Sequence, residues 1–337
     1  MLVVMNAHAE QDQIDAVVER IRELGLVPHP IPGSTRTAIG ITGNRGPENR
    51  DTLVMLPGVE DVIVVTAPYK LVSREVHPDS TIIPVADTEI GGGFTIIGGP
   101  CSVENEEMII GTARFLIERG VKLLRGGAYK PRTSPYSFQG LGEEGLKYLA
   151  KAREETGIGI VTEVMDVESA ARIEDVADVL QVGTRNMQNY PLLRRLSKAN
   201  KPILLKRGMA ATVDEWLMAA EYILSGGNYQ VILCERGVRT FADHTRNTLD
   251  LSIIPVVKHL SHLPVIVDPS HGTGKAEYVP AMSMAALAAG AHGLLVEVHP
   301  EPERAMSDGM QSLDFDTFTK MQQSLKPVAA ALGVEIR

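Results

Sequence analysis

FTIIGG (residues 94–99) is the first of eight short apolar runs whose repetition decides the fold. The others are VKLLRG (121–126), IGIVTEV (158–164), DVLQVG (178–183), PILLK (202–206), VILCER (231–236), PVIVD (264–268) and GLLVEV (293–298). Continuous apolar runs bounded by glycine, proline or charge read as strands buried on both faces, as in a parallel sheet. Most are separated by stretches of helical periodicity, such as Trp216–Leu224 and Leu249–Leu260. Eight strand–helix repeats match a (β/α)8 barrel in count and size. A doubly wound open sheet also alternates strand and helix, but the count of eight favours the barrel.

Upstream the rhythm differs. LVVMN (2–6) reads as a strand, and Ile14, Val17, Val18, Ile21 and Leu24 share one helical face closed by Gly25. Strands follow near Val27–Ile31 and Thr37–Thr42, then a short helix over Asn49–Leu56 and a strand over Asp61–Thr66. The order βαββαβ is ferredoxin-like. The expected organisation is therefore a small ferredoxin-like domain at 1–67, a Pro/Gly-rich connector at 68–92 and an α/β barrel at 93–337.

Composition narrows the function. The chain has 337 residues, 42 acidic against 33 basic, a net charge of −9 and only 4% aromatics. Nucleic-acid binding, which needs basic stripes and stacking platforms, is not expected. No apolar run approaches the length of a membrane span, and the N-terminus lacks a signal-peptide pattern. Two cysteines, Cys101 and Cys234, cannot build a disulfide framework, so the cytoplasm is the expected compartment. A negative total still permits a local basic cluster that binds small anions.

Such a cluster stands at the strand ends, where barrels of this kind place their active sites. Arg125, Lys130, Arg132, Arg185, Lys206 and Arg236 come from five different strands. One such residue reads as a solvated surface charge. A set converging on one rim repels itself unless an anion is bound, and these side chains suit phosphate and carboxylate. A phosphorylated substrate is the expectation.

A second group, Cys101, His271, Glu297 and Asp308, offers sulfur, nitrogen and oxygen ligands suited to a divalent transition ion rather than Mg²⁺ or Ca²⁺. Spacing alone leaves bland alternatives: Cys101 as a small core residue, His271 as a satisfied loop histidine, Asp308 as a helix cap. Cys234 lies inside a strand and reads as core. Asp268, Ser270 and His271 are too close in sequence for a Ser-His-Asp relay. Gly272-Thr273-Gly274-Lys275 lacks the first glycine of a P-loop.

Seven stretches now carry a resemblance. GGPCSVE (98–104), LRGGAYKPRTSPYSFQGLG (124–142), QVGTRN (181–186), LLKRG (204–208), ILCERGVRTF (232–241), VDPSHGTGK (267–275) and VEVHPEPERAMSDGMQSLDF (296–315) together resemble 3-deoxy-D-arabino-heptulosonate 7-phosphate (DAHP) synthase. The likeness is to the short microbial form with a ferredoxin-like extension. It implies a metal-dependent transferase that opens the shikimate pathway of aromatic amino acid biosynthesis, condensing phosphoenolpyruvate with D-erythrose 4-phosphate. Carried over by motif, the metal ligands are Cys101, His271, Glu297 and Asp308. Phosphoenolpyruvate falls to Arg125, Lys130, Arg185, Lys206 and Arg236, and the sugar phosphate to Arg132 and Thr133. Lys130 is the expected general acid, and His271 or a metal-bound water delivers the attacking water. Mn²⁺ is the expected ion, with Fe²⁺, Co²⁺ and Zn²⁺ as alternatives. A homodimer or homotetramer is implied.

Two rivals remain. 3-Deoxy-D-manno-octulosonate 8-phosphate synthase takes arabinose 5-phosphate, but it resembles KANRSS where this chain has KPRTSP (130–135). A non-catalytic amino-acid sensor would not need the intact ligand set and basic rim. The N-terminal domain is a candidate site for an aromatic amino-acid effector, with His29 and Ser34 as loop candidates, although Pro28, Pro30 and Pro32 beside them offer little hydrogen bonding.

Overall fold

The computed structural model describes residues 1–32, 36–43, 49–64, 68–130, 134 and 136–337. The chain divides into two compact units, one formed by Met1–Ser80 with His259–His262 and the other by Thr81–Lys258 with Leu263–Arg337.

The first unit contains β1 (Leu2–Met5), α1 (Gln11–Glu23), β2 (Val27–Pro32), β3 (Thr37–Thr42), α2 (Arg50–Val54) and β4 (Val59–Ile63). Its strands form one sheet in the order β2-β3-β1-β4. Each neighbouring pair is antiparallel, which is the ferredoxin-like arrangement. Strand alternation sends Val3 and Met5 to one face, against Val17 and Ile21 of α1 and Leu53 of α2. Leu2 and Val4 go to the other face, where Val76 covers them.

Two local expectations are corrected. β4 begins at Val59 rather than Asp61, because Met5 pairs with Val59 across an irregularity between Val4 and Met5. His29 is no loop residue: it lies within β2, buried, with its Nε2 3.0 Å from Thr42 Oγ1. Its flanking prolines are tolerated because β2 is the sheet edge, where a missing N–H breaks no inner ladder. Ser34 lies outside the described residues.

The second unit opens with a hairpin, β5 (Ile83–Val85) and β6 (Thr88–Ile90), inside the stretch expected to be a plain connector. Then come β7 (Thr95–Gly99), α3 (Glu106–Glu118), β8 (Leu123–Arg125), α4 (Glu143–Thr156), β9 (Gly159–Val164), α5 (Ala170–Val176) and β10 (Val179–Val182). They are followed by α6 (Tyr190–Leu196), β11 (Ile203–Lys206), α7 (Val213–Ser225), β12 (Val231–Glu235), α8 (Ile253–Leu260) and β13 (Val265–Val267). The chain ends with α9 (Pro269–Thr273), α10 (Val279–Ala288), β14 (Gly293–Glu297) and α11 (Phe315–Leu332). Strands β7 to β14 close into a parallel barrel, with β14 hydrogen-bonded back to β7. All eight expected runs are barrel strands.

The barrel interior is a packed core. Ile97, Leu123, Val161, Val179, Leu204, Ile232, Ile266 and Leu295 point inward and meet Ile83, Val85 and Ile90 of the hairpin. The hairpin thus plugs the barrel, each apolar side chain contributing about 1.5–3 kcal/mol by burial. Cys234 is fully buried in this core, as its strand position implied. Helix α8 starts at Ile253, later than the periodicity from Leu249 suggested. Residues 248–250 are instead held outside any helix: Thr248 exchanges backbone hydrogen bonds with Val238, and the Asp250 carboxylate pairs with Arg207.

Candidate active site

The chemistry-bearing side chains collect at the C-terminal ends of the strands. Arg125, Lys206 and Glu297 are the last residues of β8, β11 and β14. Cys101 follows β7, Arg185 follows β10, Arg236 follows β12, and His271 sits in α9 after β13. One cavity of about 350 Å³ is lined by Arg125, Lys130, Arg185, Lys206 and Arg236, together with His271 and Asp308. Arg132 and Thr133 lie outside the described residues.

Ligand atoms of Cys101, Glu297 and Asp308 all lie within 4.8 Å of one another. His271 stands beside this trio, its Nε2 3.5 Å from Glu297 Oε1. Local backbone makes the convergence possible. Gly99 has φ of +140°, and a Cβ there would lie 2.1 Å from the Arg125 carbonyl oxygen, so only glycine lets the chain turn toward Cys101. Asp308 itself adopts a left-handed backbone with φ of +54°, a strained conformation for a residue with a Cβ.

Without a metal, burial first and then the Glu297 charge push the Cys101 thiol up to about 11. Burial also lowers His271, which leaves the imidazole neutral and able to ligate. At Asp308 burial alone raises the carboxyl, but the neighbouring His271 and Arg246 outweigh it and hold the group at about 2. A buried thiol, a neutral imidazole and two carboxylates form a donor set that fits a borderline divalent ion.

The cations flank this set. Lys130 Nζ donates to the Cys101 carbonyl at 2.9 Å and lies 3.0 Å from its Sγ. Arg125 Nη1 donates to the Pro100 carbonyl at 2.8 Å and to Glu297 Oε1 at 3.0 Å. The Nε atoms of Arg125 and Arg236 are buried and lack a hydrogen-bond partner among the described residues. Unsatisfied buried guanidinium donors are costly, and an anionic ligand would satisfy them.

Several residues in or beside the cavity carried no role in the sequence. Asp268 is almost wholly buried; its Oδ2 lies 2.6 Å from Lys206 Nζ and 2.7 Å from His271 Nδ1, whose N–H is not aligned for a full hydrogen bond. Burial raises this carboxyl, but His271 and Lys206 outweigh it and keep it well below the carboxylate range. The signal was present: Asp and His three residues apart across a helix start meet on one turn. Gln311 donates through Nε2 to Glu297 Oε2 at 2.7 Å and accepts from Arg246 Nη1 at 2.7 Å. Glu163, Gln181, Arg239 and Arg246 also line the cavity. No local motif marks these residues, because each comes from a different strand end or loop.

Fold and cavity together define a class: a (β/α)8 barrel whose mouth gathers basic side chains beside a Cys–Glu–Asp cluster that could hold a metal ion. Comparison with known proteins narrows this. Residues 75–332 match the model of the DAHP synthetase I family, and residues 1–67 match the DAHP synthase ferredoxin-like domain. The chain is 52% identical over its full length to the phospho-2-dehydro-3-deoxyheptonate aldolase of Thermotoga maritima, covering 100% of both chains. A crystal structure of a DAHP synthase from Thermotoga maritima superposes with a TM-score of 0.80 at 51% identity, covering 100% of this chain and 99% of that one. A 2-dehydro-3-deoxyphosphooctonate aldolase from Syntrophobacter fumaroxidans is 33% identical over 69% of this chain and 86% of its own. The chain belongs to the DAHP synthetase I family: it is an enzyme, a transferase that makes DAHP at the head of the shikimate pathway.

Proposed function

We propose that this cavity binds phosphoenolpyruvate and erythrose 4-phosphate over a divalent ion held by Cys101, His271, Glu297 and Asp308, with Mn²⁺ as the working ion. The observation that carries the reading is that a Cys–Glu–Asp trio adjoins, through Asp308, a cavity lined by Arg125, Lys130, Arg185, Lys206 and Arg236. When bound, the ion supplies Lewis-acid polarisation of the sugar aldehyde. Arg125, Arg185, Lys206 and Arg236 neutralise the phosphate and carboxylate of phosphoenolpyruvate and hold its methylene carbon toward that aldehyde. Lys130, beside Cys101, holds the proton that the new alkoxide oxygen takes up. Arg132 and Thr133 receive the sugar phosphate.

Metal-stripped protein assayed with either sugar phosphate tests this. Mn²⁺-dependent phosphate release with erythrose 4-phosphate is expected; preference for arabinose 5-phosphate, or turnover indifferent to metal, would overturn it.

The ferredoxin-like segment at 1–67 is proposed as a regulatory domain, joined through 68–92 to a catalytic barrel at 93–337. Millimolar tyrosine or phenylalanine should lower the initial rate, and an unchanged rate removes the effector. The working form is proposed to be a cytoplasmic homodimer or homotetramer, which sedimentation at working concentration and cell fractionation will test. Among the described residues no helix is long and apolar enough to cross a membrane.

A further inference from the structure

Asp268 is neither a proposed metal ligand nor a proposed substrate contact, yet it touches one of each. It follows β13 directly and caps α9, its Oδ1 accepting the His271 N–H at 2.9 Å. Its other oxygen, Oδ2, meets two side chains from different parts of the barrel. Lys206 Nζ, from the end of β11, donates to it at 2.6 Å. His271 Nδ1 lies 2.7 Å from the same atom. Both Asp268 and Lys206 are buried.

We propose that Asp268 is a positioning residue that couples the metal-binding and phosphoenolpyruvate-binding halves of the cavity through its single shared oxygen. The inference rests on the assignment of His271 to the metal and Lys206 to the substrate. A histidine that ligates through Nε2 needs its proton on Nδ1 and an acceptor facing it; a carboxylate there fixes the ring and raises its basicity. Asp268 places that acceptor 2.7 Å from Nδ1, short of full hydrogen-bond alignment, while the ring's Nε2 faces Glu297. The same carboxylate fixes the Lys206 ammonium at the cavity wall. A substrate anion that draws on the ammonium loosens its hold on Oδ2 and leaves that oxygen freer for His271. Metal and anion therefore favour each other's binding, reciprocally.

Asp268→Asn is the discriminating variant, because its side-chain oxygen still caps α9 while the charge is lost. Free Mn²⁺ measured by electron paramagnetic resonance gives the dissociation constant of metal-stripped protein without reference to turnover. The variant should bind Mn²⁺ roughly 10- to 100-fold more weakly than the parent. With Mn²⁺ saturating, its KM for phosphoenolpyruvate should also rise. Mn²⁺ affinity within twofold of the parent overturns the proposal. A parent protein that binds no Mn²⁺ overturns instead the metal assignment on which it rests.

The unsubstituted protein gives a second test that does not depend on the variant folding. Long-range proton–nitrogen correlation of histidine-labelled, metal-stripped protein, with His271→Gln for assignment, reports the ring tautomer. A neutral His271 protonated on Nδ1 is expected, and one protonated on Nε2 overturns the role given to Asp268.

Discussion

Arg207 Nη1 lies 3.0 Å from Glu235 Oε2, and both side chains are buried. Each adjoins a residue of the cavity lining, Arg207 beside Lys206 and Glu235 beside Arg236, without lining the cavity itself. Arg207 also pairs with Asp250 at 3.1 Å. Glu235 Oε1 accepts the N–H groups of Gly237 at 2.7 Å and Asp250 at 3.3 Å, which closes the base of the loop that carries Arg239 and Arg246.

Removing one partner of a buried pair leaves the other charge uncompensated, at a cost of about 3–5 kcal/mol. Glu235→Gln should therefore lower the unfolding free energy of the barrel, read from urea denaturation, by that amount. A loss below about 0.5 kcal/mol would mean that Asp250 alone satisfies Arg207.

Cys101→Ser removes the sulfur ligand while keeping shape and polarity nearly unchanged. Metal-dependent turnover should fall more than about 100-fold, beyond the loss typical of residues that merely orient a ligand. Circular dichroism should show the fold intact. Near-normal activity in a folded variant sinks the metal assignment.

Metal binding should release a proton from Cys101. Burial and Glu297 push its thiol up to about 11, so below that pH each ion displaces one thiol proton. His271 is lowered by burial and contributes none above neutrality. Apparent Mn²⁺ affinity should rise about tenfold per pH unit between pH 7 and 9. Titration in weakly buffered solution measures the released proton directly, and a flat profile would contradict a thiolate ligand.

The first unit should lose stability in acid through His262. This ring is stacked on His77 at 4.3 Å, with its Nε2 2.8 Å from the Leu71 carbonyl oxygen. Burial, then the His77 and Arg74 charges, lower it from 6.5 to about 3. The folded-state value is depressed, so between those limits the unfolded chain binds more protons. Its stabilising contribution is complete above pH 6.5 and declines as pH falls toward 3. The slope is about 1.4 kcal/mol per pH unit for one such group. Melting curves from pH 7.5 to 4.5 should be steeper for the parent than for His262→Asn; equal slopes would assign the acid loss elsewhere.

Much of this was legible in the residues themselves. The eight apolar runs are the eight barrel strands, because strands buried on both faces must be continuously apolar whatever surrounds them. The bases and ligand-type residues that follow those runs share one barrel mouth, because parallel strands end on the same side. In two places tertiary contacts override the local pattern. His29, a loop candidate for an effector, lies instead within edge strand β2, buried beside Thr42. Leu249–Ser252 has helical periodicity, but Arg207 and Val238 hold that stretch in another shape.

The sequence alone determined the barrel, the ferredoxin-like unit and the residue types offered to metal and anion, since strand periodicity and strand-end chemistry are local properties. Only the tertiary structure decided which atoms meet. That Asp268 shares one oxygen between Lys206 and His271, that Gln311 spans Glu297 and Arg246, and that Glu235 ties down a loop are consequences of barrel closure. Closure brings residues far apart in the chain to within hydrogen-bond reach, and no spacing along the chain encodes that distance.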